Sequence, residues 1–280
     1  MLEEDRVFLR EYANFVCLSH PIVAIALRNA AVDASEVAVV AEERTRRLDR
    51  PTAEDVAMRG RTDALVQTYV VARLLAELAS AIEDLGALLD AVRYRDREGI
   101  FYRYLNSQPG QVAEFWDLVL TGTPLGPLLA MPPLESFTPE PPPAIVADYE
   151  ALGSALPQVA AMYRSRTDAV PVLSDPGETG PSDDANIVTA LVEPGSPTTG
   201  ATLADAYNKI KHRFTVIDNM PRLGAALAVG GRRATYVRYP RDPAKADVLY
   251  QNIMTVAAAG GEVAAIILWL DELGLLPPGL

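Results

Sequence analysis

The stretch that decides the fold is Val71-Ala-Arg-Leu-Leu-Ala-Glu-Leu-Ala-Ser-Ala-Ile-Glu-Asp-Leu-Gly-Ala-Leu-Leu-Asp-Ala-Val92. Val71, Leu75, Leu78, Ile82, Leu85, Leu89 and Val92 recur at spacings of four and three, which sets them along one side of a helix. A two-stranded coiled coil would carry the pattern further and flank it consistently with charge. The seam therefore predicts a helix packed against neighbours in a bundle. Pro51, then Thr52 with Asp55 three positions on, has the form of a capping box that starts this helix.

Working outward, Glu3 to Cys17 and Ser35 to Leu48 read as helices, with a short one starting at His20-Pro21 between them. Gly99 to Leu105 is rich in aromatics, and Gln111 to Leu120 reads as a short helix carrying Trp116. Thr121 to Pro143 includes Pro132-Pro133 and Pro141-Pro142-Pro143. Each proline fixes φ and removes a donor, so an irregular surface connector is expected. Helix resumes at Ala144 and runs to Arg166, with Pro157 expected to kink or break it.

Val170 to Gly200 is a second irregular region, holding an apolar island at Ile187 to Val192 that fits a helical turn or a strand. Ala234 to Tyr239 reads as a short strand ended by Pro240. Ala244 to Leu276 reads as two helices joined near Gly260-Gly261. The expected fold is all-α: a multi-helix bundle with Pro/Gly-rich connectors and at most one short β excursion. Its expected organisation is an N-terminal bundle part over 1–120, a connector over 121–143 and a C-terminal helical part over 144–280. The last contains the loop 170–200 and a helix over 202–217.

Composition narrows the function classes. A formal charge of −12 argues against a broad nucleic-acid footprint, because phosphate binding draws on basic surface. A local basic site on an acidic body is still compatible with it. The one cysteine, Cys17, excludes an intramolecular disulfide and points to a reducing compartment. Cys17 sits among apolar neighbours and reads as core. The acidic start Met1-Leu-Glu-Glu-Asp-Arg6 is the opposite of a signal peptide. Val256 to Leu270 is the most apolar stretch, but Gly260, Gly261 and Glu262 interrupt it. It is expected to fall short of the ~20 apolar residues of a membrane span. A cytoplasmic protein that does not enter the membrane is the expectation.

One segment stands apart. The chain has 25 Lys+Arg, of which Lys209, Lys211 and Lys245 are the lysines. Two of these three sit beside His212 in Thr202-Leu-Ala-Asp-Ala-Tyr-Asn-Lys-Ile-Lys-His-Arg-Phe214. Leu203, Tyr207, Ile210, Phe214 and Ile217 make an apolar stripe, and Asn208 and His212 fall together on nearly the opposite side with Asp205 and Lys209 beside them. Neighbouring ammonium groups disfavour a protonated imidazole, keeping His212 available as a base near neutral pH. The plain alternative is a solvated helix face with Asn208 and His212 hydrogen-bonded at i,i+4.

Tyr207-Asn208-Lys209-Ile210-Lys211-His212 resembles the signature helix of the HEPN superfamily of small helical bundles. That signature is an Arg, often followed by Asn, with a His four to six residues after the Arg. Asn208 and His212 match the polar position and the His, whereas Tyr207 stands where the Arg belongs. The resemblance implies metal-independent RNA cleavage, often at a dimer interface and often in bacterial defence or toxin systems. On that reading His212 acts in acid–base chemistry on the ribose 2′-hydroxyl, with Asn208 in support. Lys209, Lys211 or Arg213 would stabilise the phosphorane in place of the missing Arg.

The resemblance also fits an inactive RNA-binding derivative, and it leaves open whether the chain is an enzyme. RNA or a protein partner and a homo-oligomer are the expected associations. The alternative function is a non-catalytic helical protein whose surface docks a protein partner.

Other chemistries leave weaker marks. Gly195 to Thr202 has the glycine spacing of a phosphate loop, but Ala201 replaces its lysine, so it reads as a linker. Two histidines and one cysteine cannot form a zinc cluster. His20 reads as a helix-start residue, and Asp183-Asp184 as solvated loop acids. No cofactor and no metal is expected.

Overall fold

A computed structural model describes residues 1–30, 53–164, 189–191, 235–237 and 243–279. The protein is all-α. Helix α1 covers residues 3–30, with regular turns at Glu3–Glu11, a π-helical turn at Tyr12–Val16 and regular helix again over 17–30. Then come α2 (Ala53–Arg93), the single turn α3 (Arg95–Glu98), α4 (Ile100–Leu105) and α5 (Pro109–Leu120). A turn at Leu125–Leu128 (α6), α7 (Pro143–Arg164) and α8 (Pro243–Glu272) complete the described helices.

Two three-residue strands, Thr189–Leu191 and Thr235–Val237, pair antiparallel with Ala190 opposite Tyr236. They fall inside the two stretches whose composition suggested β structure, and form one short excursion. Ser35 to Leu48, Thr52 and the helix over 202–217 lie outside the described residues.

The chain divides into two compact units built from stretches distant in sequence. The first comprises Met1–Ile22, Ala79–Tyr163 and Asn252–Leu280, and the second Val23–Leu78 and Arg164–Gln251.

The seam of α2 is core. Leu75, Leu78, Ile82, Leu85, Leu89 and Val92 are all buried, and so are Leu74 and Leu88 beside the seam. In the first unit, Gly86 lets α5 close on α2. A Cβ there would lie 2.6 Å from Trp116 Nε1 and 2.8 Å from Val112 Cγ1. Helix α5 starts with Pro109 and a capping box, Gln111 Oε1 accepting from Gln108 N at 2.8 Å. It buries Val112, Phe115, Trp116 and Val119, one face at helical spacing. In the second unit, Arg28 Nε donates to Asp247 Oδ1 at 2.6 Å and the guanidinium lies 5.2 Å from the Tyr250 ring centre.

Four expectations need correction, each for a local physical reason. No new helix starts at His20-Pro21, because α1 runs through it. Pro21 has no N–H to give to the preceding turn, and Ser19 Oγ donates to Val16 O there at 2.7 Å. Pro157 does not break α7. Pro157 and Gly153, whose carbonyl loses its donor, both face solvent, where water can replace the bond.

The 121–143 connector is not confined to the surface. Leu128, Leu129 and Met131 are buried, and Ala130 takes a left-handed φ of 50° between them.

Helix α8 is continuous across Gly260-Gly261. A Cβ on Gly260 would lie 3.1 Å from both Cys17 Sγ and Tyr12 Cε1, so this glycine permits close approach of α1 and marks no break. Without the break, Ala246–Glu272 is long and apolar enough to cross a membrane, with a mean hydropathy of 1.9 in its most apolar window. Half of that window is buried inside the protein, through residues such as Val256, Val263, Ile267 and Leu270, and a core helix passes the same test.

Candidate functional site

The residues singled out for RNA chemistry, Asn208, Lys209, Lys211 and His212, lie outside the described residues together with Tyr207, Asp183 and Asp184. Within the described residues, polar chemistry gathers at three places in the first unit, and one helix face exposes apolar side chains.

The first is a hub around Asp84. Helix α2 presents its carboxylate to α1 and α4. His20 Nε2 lies 3.2 Å from Asp84 Oδ2, and Tyr104 O–H donates to Asp84 Oδ1 at 2.7 Å. Tyr104 packs edge-on to Tyr12, ring centres 5.8 Å apart, and 4.8 Å from Phe8. Burial, then the Asp84 charge, push the phenols of Tyr12 and Tyr104 well above the ordinary tyrosine range. The same two causes push the Cys17 thiol up to about 12. A thiol held protonated at neutral pH is no nucleophile, so Cys17 belongs to the core. His20, expected at a helix start, instead ties α1 to α2.

Nothing in sequence brings these groups together, since His20 and Asp84 are 64 residues apart. Each alone looks like an ordinary surface residue.

The second place is Arg95, 6 % exposed. Its Nη1 donates to Val92 O at 2.7 Å and Leu129 O at 2.8 Å. Its Nη2 donates to Ala130 O at 3.0 Å and Pro278 O at 3.2 Å, and shares Pro277 O with Nε, which lies 2.9 Å away. Every acceptor is a main-chain carbonyl. Burial lowers the proton affinity of this guanidinium, and the charge of Asp96 offsets that in part. By contrast, Arg103 Nε pairs with buried Asp90 at 2.9 Å, an ordinary closed ion pair.

The third is Glu262 on α8. Its Oε2 is buried without a hydrogen-bond partner, and burial, followed by Asp148, raises its carboxyl. Among the described residues no group of three or more His, Cys, Asp or Glu side chains gathers in a way that could hold a metal.

The exposed face belongs to α1. Phe15 is 65 % exposed, Leu18 50 % and Ile22 63 %, in three-then-four register. The opposite side of the same helix buries Tyr12 and Cys17. This stripe was missed in the sequence because the apolar residues of α1 lie on both faces, which hides the period. No family model, no curated protein and no solved structure matches this chain.

Proposed function

We propose that this chain is a helical interaction protein that docks an amphipathic helix of a partner along Phe15, Leu18 and Ile22. The carrying observation is their exposure in helical register on a helix whose other face is core. Apolar side chains at three-four spacing present the ridge that a second helix fills. Cys17, the one cysteine of the chain, is held as a neutral thiol. A cytoplasmic setting and a homo-oligomer form part of this proposal, the former supported by the single cysteine.

A photo-crosslinker at Leu18 tests it in cells. The expected result is an adduct that mass spectrometry maps to an amphipathic helix, lost in Phe15→Lys/Ile22→Lys without a fall in melting temperature. An adduct with a second copy would make the partner this chain itself. No adduct, or one indifferent to both lysines, overturns the proposal.

A second reading is favoured by the clustering of Asn208, Lys209, Lys211 and His212: an RNA-directed, HEPN-like protein, either a metal-independent endoribonuclease or an inactive RNA-binding derivative. Mixed cellular RNA incubated with EDTA separates the two forms. Cleavage by the parent that disappears in His212→Ala supports the enzyme. RNA retention without cleavage supports the derivative, and the absence of both cleavage and retention leaves the RNA reading without support.

A further inference from the structure

A guanidinium offers its Nε–Nη2 edge as a fork that fits two oxygens of one carboxylate or phosphate. In Arg95 that edge is turned outward and filled by two oxygens. Pro277 O accepts from both Nε and Nη2, and Pro278 O from Nη2. The opposite nitrogen, Nη1, is fixed on Val92 O and Leu129 O. Ala130 presents its carbonyl to Nη2 from a φ of 50°, a backbone that alanine adopts only at a cost. The inner side of the seat is thus held by the protein frame, and the outer side by residues 277–279.

The outer layer is thin. Pro278 faces solvent. Gly279 lies flat on the seat, where a Cβ would come within 2.9 Å of Arg95 N and 3.0 Å of Arg93 O. Just before this strap and just past the end of α8, Gly274 takes a φ of 66°, and Leu275 N–H donates back to Leu270 O at 2.8 Å. The strap therefore has no regular structure and leaves a firm helix end.

We propose that Arg95 is an oxyanion site, closed in this conformation by the carbonyl oxygens of Pro277 and Pro278, and that a phosphate or carboxylate group takes their place when the strap lifts. The guanidinium's bonds to carbonyl oxygens are charge-assisted on the donor side alone, whereas a carboxylate or phosphate adds an opposite charge and two oxygens that match the fork. An anion therefore competes well for the fork, even against acceptors already in place. No carboxylate among the described residues forms an ion pair with Arg95, and Asp96 offsets the effect of its burial only in part. The overall charge of −12 repels extended polyanions and favours a small anion that reaches one deep cation.

Isothermal titration with inorganic phosphate, and with acetate as the carboxylate arm, tests this on three proteins: the parent, Gly279→Val and a chain ending at Leu276. Valine cannot sit on the seat and the shortened chain has no strap, so each uncovers the fork. Circular dichroism establishes which opened variants keep the parent's fold. The expected result is binding about tenfold or more tighter than in the parent, a difference of one decade in Kd. Arg95→Lys in the same background should abolish the gain, because an ammonium has no fork.

A gain for phosphate alone identifies a phosphate site, and a gain for acetate alone a carboxylate site. Equal affinity in parent and opened variants, or a gain that survives Arg95→Lys, overturns the proposal. Where Arg95→Lys does not fold, the Arg95 Nε–H resonance of the opened variant decides. It shifts on titration if the proposal holds, and its constancy overturns it.

Discussion

In the first unit Arg95 is buried and Asp84 half-buried, and they are satisfied in opposite ways. Asp84 accepts from side chains, His20 on one helix and Tyr104 on another. Arg95 donates to the main chain alone. A hub made of side chains can be dismantled one residue at a time. A hub whose acceptors are carbonyls keeps them through any substitution at Leu129, Ala130 or Pro277 that spares the backbone. Its one replaceable hydrogen-bonding side chain is the arginine, so its dependence on sequence is concentrated there and at Gly279, where a Cβ would meet Arg95 N.

The largest expected effect strikes the helix that carries Asp84. Ile82→Asp would leave an unpaired carboxylate in the buried seam, at a cost of about 3–5 kcal/mol. A urea midpoint equal to the parent's would remove the bundle core and the comparison with it. Next comes Arg95→Met, which strands several carbonyls at about 1–3 kcal/mol each where they stay dry, so a loss of about 3 kcal/mol is expected. Asp84→Asn keeps an acceptor for Tyr104 and should cost about 1 kcal/mol. Urea unfolding of the pair ranks the hubs, and the reverse order would show that side chains form the firmer one.

Chemistry at Cys17 sharpens the same contrast. With its thiol pushed to about 12, alkylation at pH 8 should run about a hundredfold or more slower in the folded protein than in urea. Fast labelling of the native state would mean that the Asp84 hub is open.

The smallest effect concerns Asp271, which binds Arg6 Nε at 2.6 Å and the Met1 ammonium at 3.0 Å. Burial alone would raise this carboxyl, but the two cations outweigh it and hold it below its usual range. Its stabilisation is therefore complete above about pH 4, the ordinary carboxylate value, and is lost as pH falls through the lower folded-state value. Asp271→Asn should flatten that acid limb in melting curves taken between pH 2 and 6 and leave the neutral-pH slope unchanged.

The helical class was legible because Leu75 to Val92 repeats a period that only a helix satisfies. The turns of meaning at single residues were not. Gly260 looks like a helix breaker in sequence because its neighbours in space, Tyr12 and Cys17, are nowhere near it along the chain. The 121–143 connector was read from its prolines, while its burial depends on Arg95 supplying donors to Leu129 and Ala130. Arg95 itself sits in the alternating run Arg93-Tyr-Arg-Asp-Arg-Glu98, which has the look of a solvated surface. The lysine-rich segment around His212 was the most distinctive text in the chain, and it lies outside the described residues.

The close fit of Gly86 against Trp116 also gives the protein an optical signature. The chain has two tryptophans. Trp116 is fully buried, its indole N–H lacks a hydrogen-bond partner, and its ring lies 5.6 Å from Phe115. Trp269 is only partly buried and sits edge-on to Phe137 at 6.3 Å. A buried indole without a hydrogen-bond partner emits toward the blue, so the native spectrum should contain a short-wavelength component from Trp116 that shifts to the red once α5 parts from α2. Fluorescence at that edge follows the separation of two named helices without any added label.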